Sequence, residues 1–273
     1  MKTFFSLTIT IFCLVIFAFS PAAHGQGLFD EPFYGLKPTI SPRLPNFRYT
    51  TLLGVYKNKC CPNFSNDVGF TYPVNTGSGI FDDFLVGYAK NIFNEYAQYD
   101  LDYGEFETSG TLKLRTTFTA EIAGENYLSI MFTSAGYYIG AAHDYTNSTS
   151  FIFDLKNQKF LELSDIFVNP KQSIPLLWPL VANGWCQLNL GENIPFEYDI
   201  PLEKSKCGQA TPPTPASFLA DYVPFKALGT VILDRSGMVI RLEFPFARGF
   251  GPQKITISRE ALIRLGAKPE IWQ

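Results

Sequence analysis

Residues 135–167, AGYYIGAAHDYTNSTSFIFDLKNQKFLELSDIF, decide how this chain is read. A small-residue turn, Gly140-Ala141-Ala142-His143-Asp144, precedes Thr149–Leu155, whose β-branched and aromatic residues have strand composition. Lys156-Asn157-Gln158 predicts a polar turn and Lys159–Leu163 a returning strand, so the two runs read as a hairpin. Ser164 then stands where an N-cap belongs, ahead of a short helical turn over Asp165–Val168. Hairpin chemistry governs this stretch.

Upstream, the same signals recur. Thr111–Ile122 and Tyr127–Ile139 read as two long strands joined by the turn Ala123-Gly124-Glu125-Asn126. In the first, Leu112, Leu114 and, after a shift, Phe118 alternate with polar residues, the pattern of a sheet with one wet face. Before them, Ile80–Tyr99 is the clearest amphipathic segment. Phe81, Phe84, Leu85, Tyr88, Ile92 and Tyr96 recur at steps of three and four and make one apolar helix face. An aromatic stripe can bind sugar rings, but at helical spacing beside strands it reads as core. Phe47–Tyr56 and Val68–Tyr72 read as strands on either side of the Cys60-Cys61-Pro62-Asn63 corner.

Downstream, Gln172–Leu190 has a helical pattern limited by Pro175 and Pro179. Residues 191–224 are irregular and proline-rich, a functional loop or a family-specific insertion. Phe225–Leu233 and Met238–Phe244 form a further hairpin across Asp234-Arg235-Ser236-Gly237. Lys254–Ile257 is a strand, Ser258 caps a last helix, and Gly266 ends it. Several hairpins with a few separated helices predict an α+β fold, antiparallel sheets with packed helices, rather than parallel α/β.

The first residues have the pattern of a secretory signal peptide over residues 1–25. Lys2 is the positive n-region, Phe4–Phe19 an apolar h-region, and Pro21-Ala22-Ala23-His24-Gly25 supplies small residues before Gln26. An uncleaved anchor is the alternative, because the apolar run is about long enough to span a bilayer. Cys13 lies inside the h-region, which points away from a lipid-anchored N-terminus. Residues 26–46 carry four prolines, Pro32, Pro38, Pro42 and Pro45, and read as an irregular lead-in. No later stretch has the length and apolarity of a span, so no membrane span is expected after cleavage. The expected location is periplasmic or secreted.

Charge and cysteines narrow the partners. The net charge of −3, without a Lys/Arg cluster, argues against nucleic acid and is compatible with a basic protein partner. Cleavage leaves Cys60, Cys61, Cys186 and Cys207, an even number that in an exported protein indicates disulfides. A Cys186–Cys207 bridge would restrain the proline-rich loop. Cys60 and Cys61 either bridge each other or pair with distant cysteines. Zinc held by all four is the weaker alternative, since no C-x-x-C spacing is present.

The candidate chemistry is sparse. His24 leaves with the signal segment, so His143 stands alone and no histidine cluster for a metal remains. There is no H-E-x-x-H, no G-x-S-x-G elbow, no P-loop and no dinucleotide fingerprint, and no cofactor is expected. A Cys–His pair is discounted because bridged cysteines are not nucleophiles. Asp100, Asp102, Glu105 and Glu107 form an acidic and aromatic run that imitates a glycosidase site, which needs two carboxyls flanking a sugar bond. A solvated connecting loop or a weak cation site is the plainer reading. Gly140, Ala142, His143 and Asp144 are the candidate binding residues. The plainer role for His143 is a ring nitrogen donating to a backbone carbonyl inside its turn.

Gly140-Ala141-Ala142-His143, Phe151-Ile152-Phe153-Asp154-Leu155 and Leu163-Ser164-Asp165-Ile166-Phe167 resemble, in that order, a family of bacterial extracytoplasmic domains. That family pairs a Gly-Gly-Ala-His-like turn with an aromatic-Asp-Leu strand and a Leu-Ser-Asp-Leu-Phe step. Leu242-Glu243-Phe244-Pro245-Phe246, Gly251-Pro252 and Ile255-Thr256-Ile257 look like its closing strands. Phe70-Thr71-Tyr72-Pro73 and the following helix are similar to the smaller domain that commonly precedes it. The family is that of the RsiV-like ectodomains of lysozyme-sensing anti-sigma factors, also found as a non-catalytic region of some peptidoglycan deacetylases. The resemblance implies a two-part α+β fold, a smaller part at 47–125 and an RsiV-like domain at 126–273. Within it Asp154, Ser164 and Asp165 are fold-motif residues. It also implies a non-catalytic recognition role in the cell envelope, with a muramidase or a peptidoglycan-related ligand as partner. Ala141 departs from the family's second glycine, and no deacetylase domain follows. The competing expectations are an envelope glycan hydrolase using acidic residues and a purely structural envelope protein.

Overall fold

The computed structural model describes residues 37–57, 63–98, 110–137, 145–177, 180–181, 230–242 and 253–273. Strands β1 (Thr39–Ile40), β2 (Arg48–Lys57) and β3 (Phe64–Val74) precede helix α1 (Gly79–Ala97). Strands β4 (Gly110–Ala123), β5 (Tyr127–Tyr137), β6 (Tyr145–Asp154) and β7 (Lys159–Leu161) follow, then a 3-10 turn, Leu163–Ile166. A helical segment over residues 170–177 meets the first part of the helix expected at Gln172–Leu190, and strands β8 (Val231–Leu233), β9 (Gly237–Leu242) and β10 (Gln253–Ser258), helix α2 (Arg259–Arg264) and a 3-10 turn, Pro269–Trp272, complete the described chain. The fold is α+β, as the hairpin signals predict.

Strands β2-β3-β4-β5-β6-β7 form a seven-stranded sheet in that order, with β1 beside β4 as the seventh strand. Most neighbours are antiparallel hairpin partners, but β3 and β4 run parallel, from Phe64↔Gly110 to Phe70↔Thr116. A parallel pair needs a crossover, and α1 lies within it. Beyond Thr116, β1 pairs with β4 instead, at Thr39↔Thr119 and Ile40↔Ala120. The sheet is therefore mixed, a refinement that local hairpin signals could not supply. It runs without a break through the β4–β5 hairpin, across residues 125 and 126.

One face of this sheet carries α1. Ser78 caps the helix, its hydroxyl accepting from the Phe81 amide at 3.3 Å and donating to Gln158 of the β6–β7 turn. At the other end, the Asn66 side-chain amide of β3 donates to the Tyr96 and Ala97 carbonyls, satisfying acceptors that a helix terminus leaves open. Phe81, Leu85, Ala89 and Phe93 are buried against Val68, Phe70, Leu112, Leu114, Phe118, Leu128, Ile130, Phe132 and Phe153. Phe81 lies flat on Phe153 with centroids 4.6 Å apart. The stripe is core, not a sugar platform. The expected shift in β4 does not occur: Leu112, Leu114, Thr116, Phe118 and Ala120 keep one face throughout. Thr116 is the polar member, and its buried hydroxyl bonds that of Ser134 at 2.8 Å.

The other face is only partly wet. Strands β10-β9-β8 form a second, three-stranded sheet that meets β4, β5 and β6 through β8. Between them lies a second core, where Ala123 and Ile152 of the large sheet meet Val231, Leu233, Met238, Ile240, Ile257, Leu262 and Trp272. On either side of β8, the Asp234 amide bonds the Gly237 carbonyl and the Thr230 carbonyl takes the Arg241 amide, so the backbone groups of the even residues face β9. The odd amides face the large sheet by the two-residue period of a strand. There Val231 donates to the Ser150 hydroxyl at 2.8 Å and Leu233 to that of Ser129 at 2.9 Å. A strand edge is thus closed by side chains.

Two glycines are required by their backbones. Gly124 has φ +55°, and a Cβ there would sit 2.7 Å from the Ile271 carbonyl oxygen. Gly237, at φ +152°, would place one 2.1 Å from the Ile257 carbonyl oxygen. The Ser258 hydroxyl caps α2 at 3.2 Å. Gly266 (φ +90°) ends it, with Gly266 N to Ile263 O and Ala267 N to Leu262 O, the paired bonds of a Schellman closure. Among the described residues no helix is long and apolar enough to cross a membrane.

Candidate functional site

The predicted binding residues Gly140, Ala142, His143 and Asp144 lie outside the described residues, as do Cys60, Cys61, Cys186, Cys207 and the acidic run from Asp100 to Glu107. The signal segment and the loop 191–224 lie outside them too. Among the described residues no group of three His, Cys, Asp or Glu is placed to hold a metal.

The fold-motif residues are described, and their work is local. Asp154 is 2% exposed at the end of β6. Its Oδ1 accepts from the Lys156 and Asn157 amides at 3.0 and 2.9 Å, and its Oδ2 from the Asn157 side chain at 2.7 Å. The carboxylate replaces backbone partners for the turn that leads to β7. Ser164 does not cap the helical turn. The cap residue is Glu162, and the turn spans Leu163–Ile166. Asp165 closes it, with Oδ2 accepting from the Glu162 amide at 2.9 Å. The step is then pinned from the C-terminal side: Lys268 donates its amide to the Ile166 carbonyl and its Nζ to the Asp165 carbonyl at 2.7 Å. These residues build the fold.

A cleft of about 450 Å³ opens where the large sheet meets the small one. Its floor is apolar, with Met131 of β5, Ile232 of β8 and Val239 of β9. Four charged side chains line it: Glu121 of β4, Asp234 after β8, Arg241 of β9 and Lys254 of β10. Thr39 and Thr119, paired across β1 and β4, complete the wall. The period of two puts Thr119 and Glu121 on the face of β4 away from α1.

Each charge has an identifiable environment. Burial pushes the Glu121 carboxyl above its ordinary range; a hydrogen bond with Ser41 opposes this, the Asp234 charge adds to it, and Lys254 counters it. Ser41 is itself buried and fixed by its amide on the Ala120 carbonyl at 2.9 Å. Asp234 Oδ1 accepts from the Ser236 amide and hydroxyl and the Gly237 amide, at 2.7, 2.6 and 2.9 Å. Its backbone carbonyl takes the Trp272 indole N–H at 3.0 Å. The Asp234 carboxylate is thus held in place by its own turn. Arg241 donates through Nη1 to Thr133 of the large sheet at 2.7 Å. It stands directly opposite Lys254 in the β9–β10 register. The cleft therefore places acceptors and cationic donors around a small apolar floor.

Sequence reading passes over these residues. Glu121 looks like one more wet-face position of β4, and Asp234 like turn chemistry. Arg241 and Lys254 look like solvated strand residues. The one usable signal is Glu121, an acid in a run of threonines that ends next to Ile122-Ala123-Gly124.

No family model and no curated protein matches the sequence. Among solved structures, the fold is similar to that of a DUF3298 family protein from Pseudomonas aeruginosa PAO1, at 13% identity and a TM-score of 0.50. That alignment covers 83% of this chain and 96% of the other. A DUF3298 family member from Bacteroides fragilis NCTC 9343 aligns at 16% identity and a TM-score of 0.44, over 82% of this chain and 94% of the other. The likeness to the Pseudomonas protein is one of fold alone.

Proposed function

We propose that this chain is an exported binding domain of the cell envelope, acting without catalysis, and that its ligand is a muramidase or is related to peptidoglycan. The observation that carries the reading is the cleft between the two sheets, which combines charges of both signs with an apolar floor. The signal-like N-terminus supports export. The ordered RsiV-like motifs support recognition in the envelope. A net charge of −3 favours encounter with a basic protein such as a lysozyme. The test is capture by the purified chain of lysozyme and of sacculi in parallel, repeated with the double substitution Glu121→Gln and Lys254→Gln. Enrichment of one ligand, reduced in the double variant, is the expected result. Enrichment of neither removes the ligand assignment.

A glycan hydrolase is the second reading, and one observation favours it. Glu121 and Asp234 bring two carboxyls to the same cleft, and Glu121 is held toward its protonated form, as a general acid requires. Release of soluble muropeptides by the pure protein, abolished by Glu121→Gln, would establish it. An active Glu121→Gln variant with a dead Asp100→Asn or Glu105→Gln variant would move the chemistry to the acidic run. Absence of turnover on intact sacculi counts against both.

A further inference from the structure

We infer that β2 is the seam of a homodimer, in which two copies of the chain join their large sheets edge to edge. The inference does not involve the cleft. β2 is the end strand of the large sheet. Its ten residues pair one for one with β3, from Arg48↔Val74 to Lys57↔Ser65, without a bulge. No strand among the described residues pairs with its other side. Leu52 and its partner Phe70 belong to the core under α1, so the two-residue period turns Thr51, Leu53 and Val55 to the opposite face. The small sheet meets that face at β4, β5 and β6 and leaves Leu53 and Val55 open, at 71% and 70% exposure. Sheets protect an unpaired edge with a short strand, a proline, a bulge or a charge along it. β2 has none of these between Tyr49 and Tyr56.

The strand suits a second copy of itself. Residues opposite one another in a ladder point to the same face, so a two-fold axis between two antiparallel β2 strands passes through a residue position. An axis at Leu53 sets Leu53 against Leu53 and Thr51 against Val55, aliphatic and β-branched pairs of the kind that stabilise a ladder. On the other face it sets Leu52 against Gly54, the one position in the strand without a side chain. The only charges of β2, Arg48 and Lys57, lie at its two ends. A parallel pair in register would bring each cation against its own copy. The antiparallel pair sends those copies to opposite ends and faces Lys57 with Tyr49, while Arg48 of one copy and Lys57 of the other fall on opposite faces. One strand a side is well below the roughly 20–30 residues a side of a standard interface, so the dimer forms reversibly with concentration.

Sedimentation velocity of the full chain across the micromolar range tests this. The expected result is a monomer–dimer equilibrium that shifts toward dimer with concentration. Leu53→Lys, at an exposed position, sets two like charges together at the axis and should weaken association about tenfold or more. On mild oxidation Leu53→Cys should cross-link two copies, with mass spectrometry placing the bridge at the substituted position of both chains. Val55→Cys, which faces Thr51, should not. Circular dichroism checks that each variant is folded. A monomer at every concentration overturns the inference, and so does a dimer indifferent to Leu53→Lys. Cross-linking through Val55→Cys in place of Leu53→Cys overturns the pairing. A monomer whose Leu53→Lys variant loses capture of lysozyme or sacculi gives the edge to the envelope ligand and overturns the dimer. A dimer that captures neither supports the inference and removes the ligand assignment alone.

Discussion

At the scale of single residues, Glu121 carries the most information. Burial raises its carboxyl above the unfolded value of 4.5, and Asp234 raises it further against the opposing Ser41 and Lys254. A raised acid holds its proton more tightly in the folded state. Its contribution is therefore fully present below the unfolded pKa and is lost as pH rises through the folded one. Melting temperatures of wild type and Glu121→Gln, taken from about pH 4 to about pH 8, should show the wild-type advantage shrinking as pH rises. At neutral pH the glutamine variant should be at least as stable. A difference that stays flat with pH would show that Glu121 titrates as in water. The contrast with Asp154 is instructive. That carboxylate is nearly inaccessible, yet its hydrogen bonds make it a turn component.

At the scale of elements, the docking of the small sheet depends on two serines. The amides of Val231 and Leu233 point away from β9 and end on Ser150 and Ser129. Leaving a buried donor unpaired costs about 1–3 kcal/mol. Ser129→Ala, at a site with 0% exposure, should cost about that much. Ser129→Ala with Ser150→Ala should accelerate hydrogen exchange at the Val231 and Leu233 amides while sparing those of α1. Equal acceleration in α1 would mean that the serines stabilise the whole fold rather than this junction. In the sequence these serines look like wet-face residues of β5 and β6. Their partners lie 81 and 104 residues away, so no local pattern could mark them.

At the scale of the molecule, one sheet serves two cores. Phe81 and Phe153 anchor the α1 side, while Leu262 and Trp272 anchor the other, where Ala123 and Ile152 of the same sheet take part. Both large-to-small changes, Phe81→Ala and Leu262→Ala, remove side chains with 0% exposure. They should cost about 3–5 and about 2–5 kcal/mol respectively in urea unfolding. Because the sheet is shared, each should displace a single transition, seen alike by far-ultraviolet dichroism and by exchange of amides on the opposite face. Two separated transitions, each sensitive to one variant, would mean that the cores unfold independently.

The sequence alone determined the kinds of element and their joints. Ser258 caps a helix that Gly266 ends, and Gly124 and Gly237 hold turns, because these preferences act over a few neighbouring residues. It also pointed to the α+β class through the density of hairpins. Only the tertiary structure decided that β3 and β4 run parallel and that a second sheet covers the supposed wet face. The same assembly brought Glu121, Asp234, Arg241 and Lys254 to one cleft. Those outcomes rest on contacts between segments from 46 residues apart, at Phe64↔Gly110, to 104, at Ser129 and Leu233, where the energy lies in joint burial and shared hydrogen bonds and no stretch of chain carries the signal by itself.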